Sequence, residues 1–216
     1  MKRIFASILL LGSIALLSSC NIAAVAAYVA SPDPEQEALF TLPNVPTVVF
    51  VDDRANAMHP VRLRRVIAEE ITNELLNREV LTTMISPRDI LRVSAANDRY
   101  NAPLPINELG KSVDASTVIY VEMVAFGLTS DGQTASPRTT CNIRVIDVKN
   151  RKRLFPTDPA GYAVSEHMTH VTANRVTSSS DAKKLAEELA VKLGYSIAEI
   201  FYDHVIGRLG DNLERK

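Results

Sequence analysis

The chain has 216 residues, 46% of them hydrophobic, which is enough apolar material for one globular domain with a sizeable core. This composition excludes a wholly disordered chain and a collagen-like fibre. Lysine and arginine number 24 and aspartate and glutamate 25, for a net charge of -1, so a general electrostatic attachment to nucleic acid is not expected. The only two cysteines, Cys20 and Cys141, exclude a disulfide framework and a four-cysteine zinc site.

The amino-terminal segment has the layout of a secretory signal. Lys2 and Arg3 precede an apolar run over residues 4–17, and small residues follow that run. The run ends in the sequence Leu17-Ser18-Ser19-Cys20. This ending resembles the lipobox of bacterial lipoproteins, and the resemblance implies a signal peptide over residues 1–19 with lipidation of Cys20.

The residue after Cys20 bears on which membrane would hold the chain. In the sorting rule of enterobacterial lipoproteins, Asn21 at this position favours the outer membrane, with retention at the inner membrane as the alternative. We therefore expect an outer-membrane lipoprotein that faces the periplasm. The other interpretation of the apolar start is an uncut transmembrane helix over residues 4–30.

A proline-containing tether is predicted to follow the lipidated cysteine, over residues 20–46. Acidic and polar residues surround its four prolines, which are Pro32, Pro34, Pro43 and Pro46. Such a composition favours an extended chain with polyproline II character, which would hold a folded domain away from the membrane.

The sequence then predicts an αβ domain over residues 47–206 and a tail over 207–216. The first half of the domain alternates strands and helices, with strands predicted at 47–51 and 80–85. An amphipathic helix between them starts near Pro60 and carries the apolar stripe Leu63, Ile67, Ile71 and Leu75. A second helix is capped by Ser86 and begun by Pro87, and helical turns follow over 106–113. The second half predicts strands at 117–126, 139–145, 153–155 and 161–171, and a closing helix from Ser180 or Asp181 to about Val205.

This order of elements is β-α-β-α-α-β-β-β-β-α. The early crossover helices indicate some parallel pairing, and the later hairpins indicate antiparallel pairing. We therefore predict an α+β fold: one mixed β-sheet with helices packed mainly on one face.

Catalytic and metal-binding patterns are weak in this sequence. It contains neither a phosphate-cradling glycine loop nor a Gly-x-Ser-x-Gly nucleophile elbow. His167 and His170 would point to opposite faces of a strand, and His59 and His204 are remote from them in sequence. We therefore predict no catalytic residue, no metal site and no cofactor.

Asp52, Asp53 and Cys141 are the remaining candidates for chemistry. Asp52 and Asp53 follow a predicted strand, where a cation or an acid–base pair could form, but we favour a loop pair satisfied by Arg54 and the next helix start. Cys141 alternates with Ile143 and Val145 on one strand face, which predicts a buried structural cysteine rather than a nucleophile.

Several segments together resemble a family of small αβ domains found in bacterial envelopes. The family includes the TolB amino-terminal domain, the curli-secretion lipoproteins and outer-membrane lipoproteins that activate peptidoglycan synthases. The resemblance rests on an opening strand, a Ser-Pro helix start, a Leu-Gly turn, a central strand and an Asp-Val turn: Val48-Val49-Phe50-Val51, Ile85-Ser86-Pro87-Arg88-Asp89, Leu109-Gly110-Lys111-Ser112-Val113-Asp114-Ala115, Val118-Ile119-Tyr120-Val121 and Arg144-Val145-Ile146-Asp147-Val148.

Two departures limit what the resemblance implies. Lys149-Asn150-Arg151 stands where the family commonly has a glycine, and the chain lacks the long amphipathic hairpin of the curli pore. The resemblance thus implies an envelope location and a partner-binding role rather than pore formation, and it transfers no catalytic residues.

Our leading hypothesis is a non-enzymatic binding or assembly module, held at the membrane by its lipid and bound to an envelope protein through a sheet edge or a helix face. One rival is a small envelope hydrolase that uses Asp52, Asp53 or His167. Another is a subunit of a transport or secretion complex, and the sequence leaves the oligomeric state open.

The lipobox makes a direct prediction about Cys20. Cys20→Ala should abolish lipidation and leave the precursor uncut, because the sulfur of the Cys20 thiol is the atom that accepts the diacylglycerol group. Mass spectrometry of the native protein should find an amino terminus at Cys20 with added acyl mass. An unmodified chain beginning at Met1 would instead support the uncut helix.

Overall fold

The computed structural model describes residues 34–98, 103–130, 134–169, 171–172, 176 and 178–205. The predicted signal peptide, Cys20, Asn21, His170 and the tail over 207–216 lie outside the described residues. The chain divides into two compact units, one spanning Glu37–Asp203 and the other containing the two chain ends.

The unit Glu37–Asp203 contains four helices, six strands and one short 3₁₀ turn among its described residues. The strands of this unit are β2 (Thr47–Asp52), β3 (Met84–Ile85), β4 (Thr117–Thr129), β5 (Ala135–Asp147), β6 (Lys152–Phe155) and β7 (Tyr162–His167). Its helices are α1 (Leu63–Asn77), α2 (Pro87–Asp98), α3 (Ile106–Ser112) and α4 (Ser179–Ala198), and the 3₁₀ turn is Glu199–Phe201. In the other unit, β1 (Glu35–Gln36) pairs antiparallel with β8 (His204–Val205).

The six strands form one mixed sheet in the order β3-β2-β4-β5-β6, and β7 also pairs with β5. Strand β2 runs parallel to β3 and to β4, whereas β4, β5, β6 and β7 pair antiparallel. Parallel neighbours require long crossovers, which α1, α2 and α3 supply, whereas antiparallel neighbours need only turns. The predicted α+β class and mixed sheet are confirmed.

Helices cover both faces of the sheet, and the longer ones share a face. On the front face, α1 and α4 pack over the side chains of Val49, Val51, Ile119 and Val121. On the back face, Ile90 of α2 and Leu109 of α3 pack against the alternate set, which is Val48, Phe50, Val118 and Tyr120. The parallel part of the sheet is therefore buried on both faces, as its continuous apolar sequence predicts.

Helix α4 packs closely against α1 at a glycine. A Cβ atom built on Gly194 would lie 2.7 Å from Glu70 Cβ and 3.1 Å from Ile67 O, so this crossing has no room for a side chain. The helix begins at Ser179 and is capped by Ser178, whose hydroxyl accepts a hydrogen bond from Asp181 N. The predicted stripe Leu185, Leu189, Leu193 and Ile197 is fully buried.

The closing helix ends earlier than the predicted Val205. After Ala198 the chain tightens into the 3₁₀ turn, which buries Ile200 and Phe201 in the core. The carbonyl of Ile200 accepts hydrogen bonds from Leu39 N (2.8 Å) and Phe40 N (3.3 Å). An earlier segment of the chain is therefore bonded to the 3₁₀ turn that follows the helix.

Part of the segment assigned to the tether lies against the αβ domain. Leu42 is buried, Phe40 packs against the front core, and Pro46 O accepts hydrogen bonds from Ser116 N and Thr117 N. Because apolar side chains alternate with the prolines here, this stretch can bury surface as well as extend. The compact unit that contains the sheet accordingly includes this stretch from Glu37 onward.

The two ends of this unit are adjacent. Ala38 N donates to Asp203 Oδ1 at 2.8 Å, two residues beyond the 3₁₀ turn. Tyr202 Oη donates to Glu74 Oε1 (2.9 Å), and Arg78 Nε donates to the same oxygen (2.8 Å). Burial, followed by the bond to Glu74, raises the pKa of Tyr202, so its hydroxyl remains a donor.

Among the described residues, no helix has both the length and the apolar composition needed to cross a membrane.

The buried stripe of α4 predicts a large cost for a cavity. Leu189→Ala should lower the free energy of unfolding by about 2–5 kcal/mol, because Leu189 is completely inaccessible. The matched control Lys184→Ala, on the exposed side of the same helix, should change it by less than about 0.5 kcal/mol. Urea unfolding of the two variants measures both values, and equal stabilities would contradict the core assignment.

Candidate interaction surface at the sheet edge

The carboxylate of Asp52 lies at the end of β2 and is held by two side chains. Tyr120 Oη and Arg54 Nε each donate to Asp52 Oδ2 at 2.8 Å. Burial, together with the nearby charge of Asp52, raises the pKa of Tyr120, so the phenol stays protonated and acts as a donor. The hydrogen bond from Arg54 is the main cause that raises the pKa of that guanidinium.

A second charged pair extends this polar cluster across the back face. Arg144 donates to Glu122 Oε2 at 2.8 Å and to Ala160 O at 2.9 Å, and its guanidinium lies over the ring of Tyr120. Sequence reasoning missed Tyr120 and Arg144 as members of this cluster. The alternation of charged and apolar residues along β4 and β5 is the signal that could have found them.

Asp53 acts on the loop that follows β2. Its two carboxylate oxygens accept Ala57 N (2.8 Å) and Met58 N (2.9 Å), and its carbonyl accepts Asn56 N. The loop therefore satisfies its own N–H groups and does not continue alongside β4. Arg54 thus bonds to Asp52 as our favoured interpretation predicts, whereas Asp53 bonds to the loop residues Ala57 and Met58 and not to the start of helix α1.

Strand β4 continues well beyond the end of β2. The two strands pair from Thr47 with Thr117 to Asp52 with Glu122, after which β4 runs on to Thr129. Over Val124–Thr129, no described strand pairs with the side of β4 that β2 occupies farther back. We call Val124–Thr129 the open edge.

The open edge is apolar and accessible. It contains no charged residue, Val124 is 49% exposed, and Ala125 is exposed beside it. Register shifts against β5 fall at Val124 and Leu128, so two bulges flank the regular pairs of Ala125, Phe126 and Gly127. Bulges commonly reorient edge side chains, and here the bulge at Val124 leaves that side chain in solvent.

The other edges of the sheet are protected. Strand β3 has only two residues, and β6 has four, of which Lys152 and Arg153 are charged. On β7, Lys192 Nζ donates to His167 O (2.8 Å) and pairs with Glu166 (3.0 Å). Short strands and charged side chains are the usual means of discouraging strand addition, and the open edge has neither.

An uncovered part of the back face adjoins the open edge. Gly127 pairs with Arg138, and Arg138 pairs with His167, so these three residues form one row across β4, β5 and β7. Arg138 and His167 are exposed, and Arg138 makes no ion pair with any residue that the structure describes. An exposed cation that no described carboxylate pairs with therefore lies one strand away from the open edge.

Cys141 and the histidines are separate from this surface or do not converge on it. Cys141 is fully buried on the front face, as predicted, and burial raises the pKa of its thiol to about 12. His59 is exposed in the loop before α1, and His167 is exposed on β7. In the described ranges, no group of three or more histidine, cysteine, aspartate or glutamate side chains could hold a metal ion.

No known protein family matches this chain. No curated protein matches it by sequence. The chain is similar to the PelC dodecamer from Paraburkholderia phytofirmans, with 12% identity and a TM-score of 0.41 over 79% of this chain and 97% of that one. It is also similar to the hypothetical protein CT253 from Chlamydia trachomatis, with 16% identity and a TM-score of 0.42 over 72% of this chain and 97% of that one. A third similar structure is lipoprotein GNA1162 from Neisseria meningitidis, with 14% identity and a TM-score of 0.36 over 72% of this chain and 95% of that one. These values are too low to assign a family or a function to this chain.

The loop role of Asp53 can be measured as stability. Asp53→Ala should lower the free energy of unfolding by about 1–2 kcal/mol, because Ala57 N and Met58 N lose their acceptor. Asp53→Asn keeps one acceptor oxygen and should lose about half as much. Urea unfolding compares the two, and an unchanged stability of Asp53→Ala would show that the loop does not need this carboxylate.

Proposed function

We propose that this protein is a lipid-anchored, non-enzymatic binding or assembly module of the bacterial cell envelope, attached to the outer membrane through Cys20 and facing the periplasm. In this proposal the domain holds an envelope protein by adding one of its extended segments to the open edge. The observation that carries the binding role is the open edge itself, six residues of apolar strand beyond the last pair with β2.

The physical basis is the unpaired backbone along that edge. A β-strand without a neighbour presents a row of N–H and C=O groups, and an extended peptide satisfies them by joining the sheet. The bonds made by Asp52 and Asp53 fix the chain at the end of β2, so the loop after β2 does not pair with the open edge. The edge is therefore pre-formed, which lowers the ordering cost that binding would otherwise carry.

The position of the open edge suits a tethered protein. Lys192 bonds to His167 O and Ser196 to Glu166, so helix α4 runs antiparallel to β7 and hence to β4. The 3₁₀ turn after α4 lies at the chain entry, where Leu39 N reaches Ile200 O. Strand β4 runs the other way for 13 residues, or roughly 40 Å. The open edge thus lies toward the end of the domain farther from the point where the tether joins it.

The rival hydrolase receives less support from the same geometry. Asp52 is engaged by Tyr120 and Arg54, and Asp53 by two backbone N–H groups, so neither is a free carboxylate. His167 is on β7, where its carbonyl is bound by Lys192 and its side chain is exposed. These three candidates occupy structural roles or lie apart, whereas a hydrolase needs them to converge.

Photo-cross-linking in intact cells tests the proposal. A benzophenone amino acid at Val124 of the full lipidated chain should capture one predominant envelope protein. The same amino acid at Val61 is the matched control, because Val61 is an equally exposed valine (51% against 49%) in the loop before α1. Equal capture at both positions, or none at Val124, would contradict a docking role for the open edge.

A further inference from the structure

We propose, resting on the function above, that the segment added to the open edge is an acidic strand in which apolar side chains alternate with carboxylates. The inference starts from the two sides that such a strand would present to the sheet. Side chains of a strand alternate between faces, so an added strand continues both the front face and the back face of β4.

On the front side the open edge is apolar. Phe126 and Leu128 are half-buried and pack against the front core. An added strand places every second side chain next to these two residues, where a polar group would lose water without gaining a partner. The front-facing residues of the partner are therefore apolar.

On the back side the open edge is narrow and faces a cation. Ala125 and Gly127 supply almost no side chain, and a Cβ on Gly127 would touch only Thr129 O, at 3.9 Å. Arg138 is directly across from Gly127, is exposed, and forms no ion pair within the described part of the chain. An added strand would lie two strand spacings from β5, about 10 Å, with only a glycine between it and the arginine.

The neighbouring charges do not cancel this preference. Glu122 precedes the open edge on the same face, but Arg144 pairs with it at 2.8 Å. Asp52 is likewise paired with Arg54 at 2.8 Å. His167, on the far side of Arg138, contributes no negative charge. Among the residues that the structure describes, the charge left without an ion pair beside the open edge is therefore positive, and a carboxylate on the partner complements it.

The same reasoning disfavours a second copy of this chain as the occupant. Two open edges paired with each other would bring together Val124–Thr129 twice, and this segment contains no carboxylate. Arg138 would then gain no carboxylate from the added edge in either copy. A different protein with an alternating apolar and acidic segment satisfies both faces.

Two eight-residue peptides provide the test, one of alternating valine and glutamate and the other of alternating valine and lysine. Each is titrated into the full mature chain in detergent micelles, and amide chemical shifts are followed. The valine–glutamate peptide should shift the amides of Val124–Thr129 and leave those of Tyr162–His167 unchanged. The valine–lysine peptide should bind more weakly by about fivefold, since an exposed ion pair contributes up to ~1 kcal/mol.

Arg138→Glu should reverse this preference, so that the lysine peptide binds the more tightly of the two. Lys152→Glu is the control, because it makes the same charge change on an exposed residue of β6 and should leave both affinities as they were. Equal affinities of the two peptides for the native chain, equal effects of both variants, or no shifts at Val124–Thr129 at millimolar peptide would overturn the inference. If Val124 still cross-links selectively in cells, the docking role stands and only the acidic chemistry falls.

Discussion

The first five residues of β4 are buried on both faces of the sheet, and this double burial organises the rest of the structure. Ile119, Val121 and Met123 point into the front core, whereas Val118 and Tyr120 point into the back core. A strand with apolar side chains on both faces is stable only when helices cover both. The two long helices serve the front face, and the two short ones serve the back.

The cover on the back face ends where the polar cluster begins. Tyr120 is the last back-face residue of β4 in the apolar cluster, and its hydroxyl already bonds to Asp52. Glu122 and Arg144 continue the row as an ion pair, and beyond them the residues are small or hydrophilic. The boundary between the helix-covered and the uncovered part of the back face is thus a change in side-chain chemistry along β4. At this boundary Tyr120 bonds to Asp52, and Glu122 pairs with Arg144.

A difference in strand length creates the open edge. Strand β2 has six residues and β4 has thirteen, and the two start together at Thr47 and Thr117. The excess length of β4 is stabilised on one side by β5 and by front-face packing, so it remains ordered without a second neighbour. A strand held in this way can accept a partner with little reorganisation, which is the structural reason to place binding there.

Local sequence patterns by themselves determined the class of the fold and the inward direction of many side chains. The four-residue spacing of Leu185, Leu189 and Leu193 predicted a buried helix stripe, and the alternation around Cys141 predicted its burial; both are confirmed. The order of strands and crossovers likewise predicted a mixed sheet. These features depend on periodicity within one element, which a single sequence displays directly.

Tertiary structure alone decided where the elements end and which side chains meet. Tyr120 and Asp52 are 68 positions apart, so their hydrogen bond follows from strand register and not from any local motif. The closing helix ends at Ala198, and the 3₁₀ turn that follows it offers Ile200 O to Leu39 N and Phe40 N, residues about 160 positions earlier in the chain. The open edge depends on how far β2 pairs with β4, which is a relation between two segments that only the folded chain brings together.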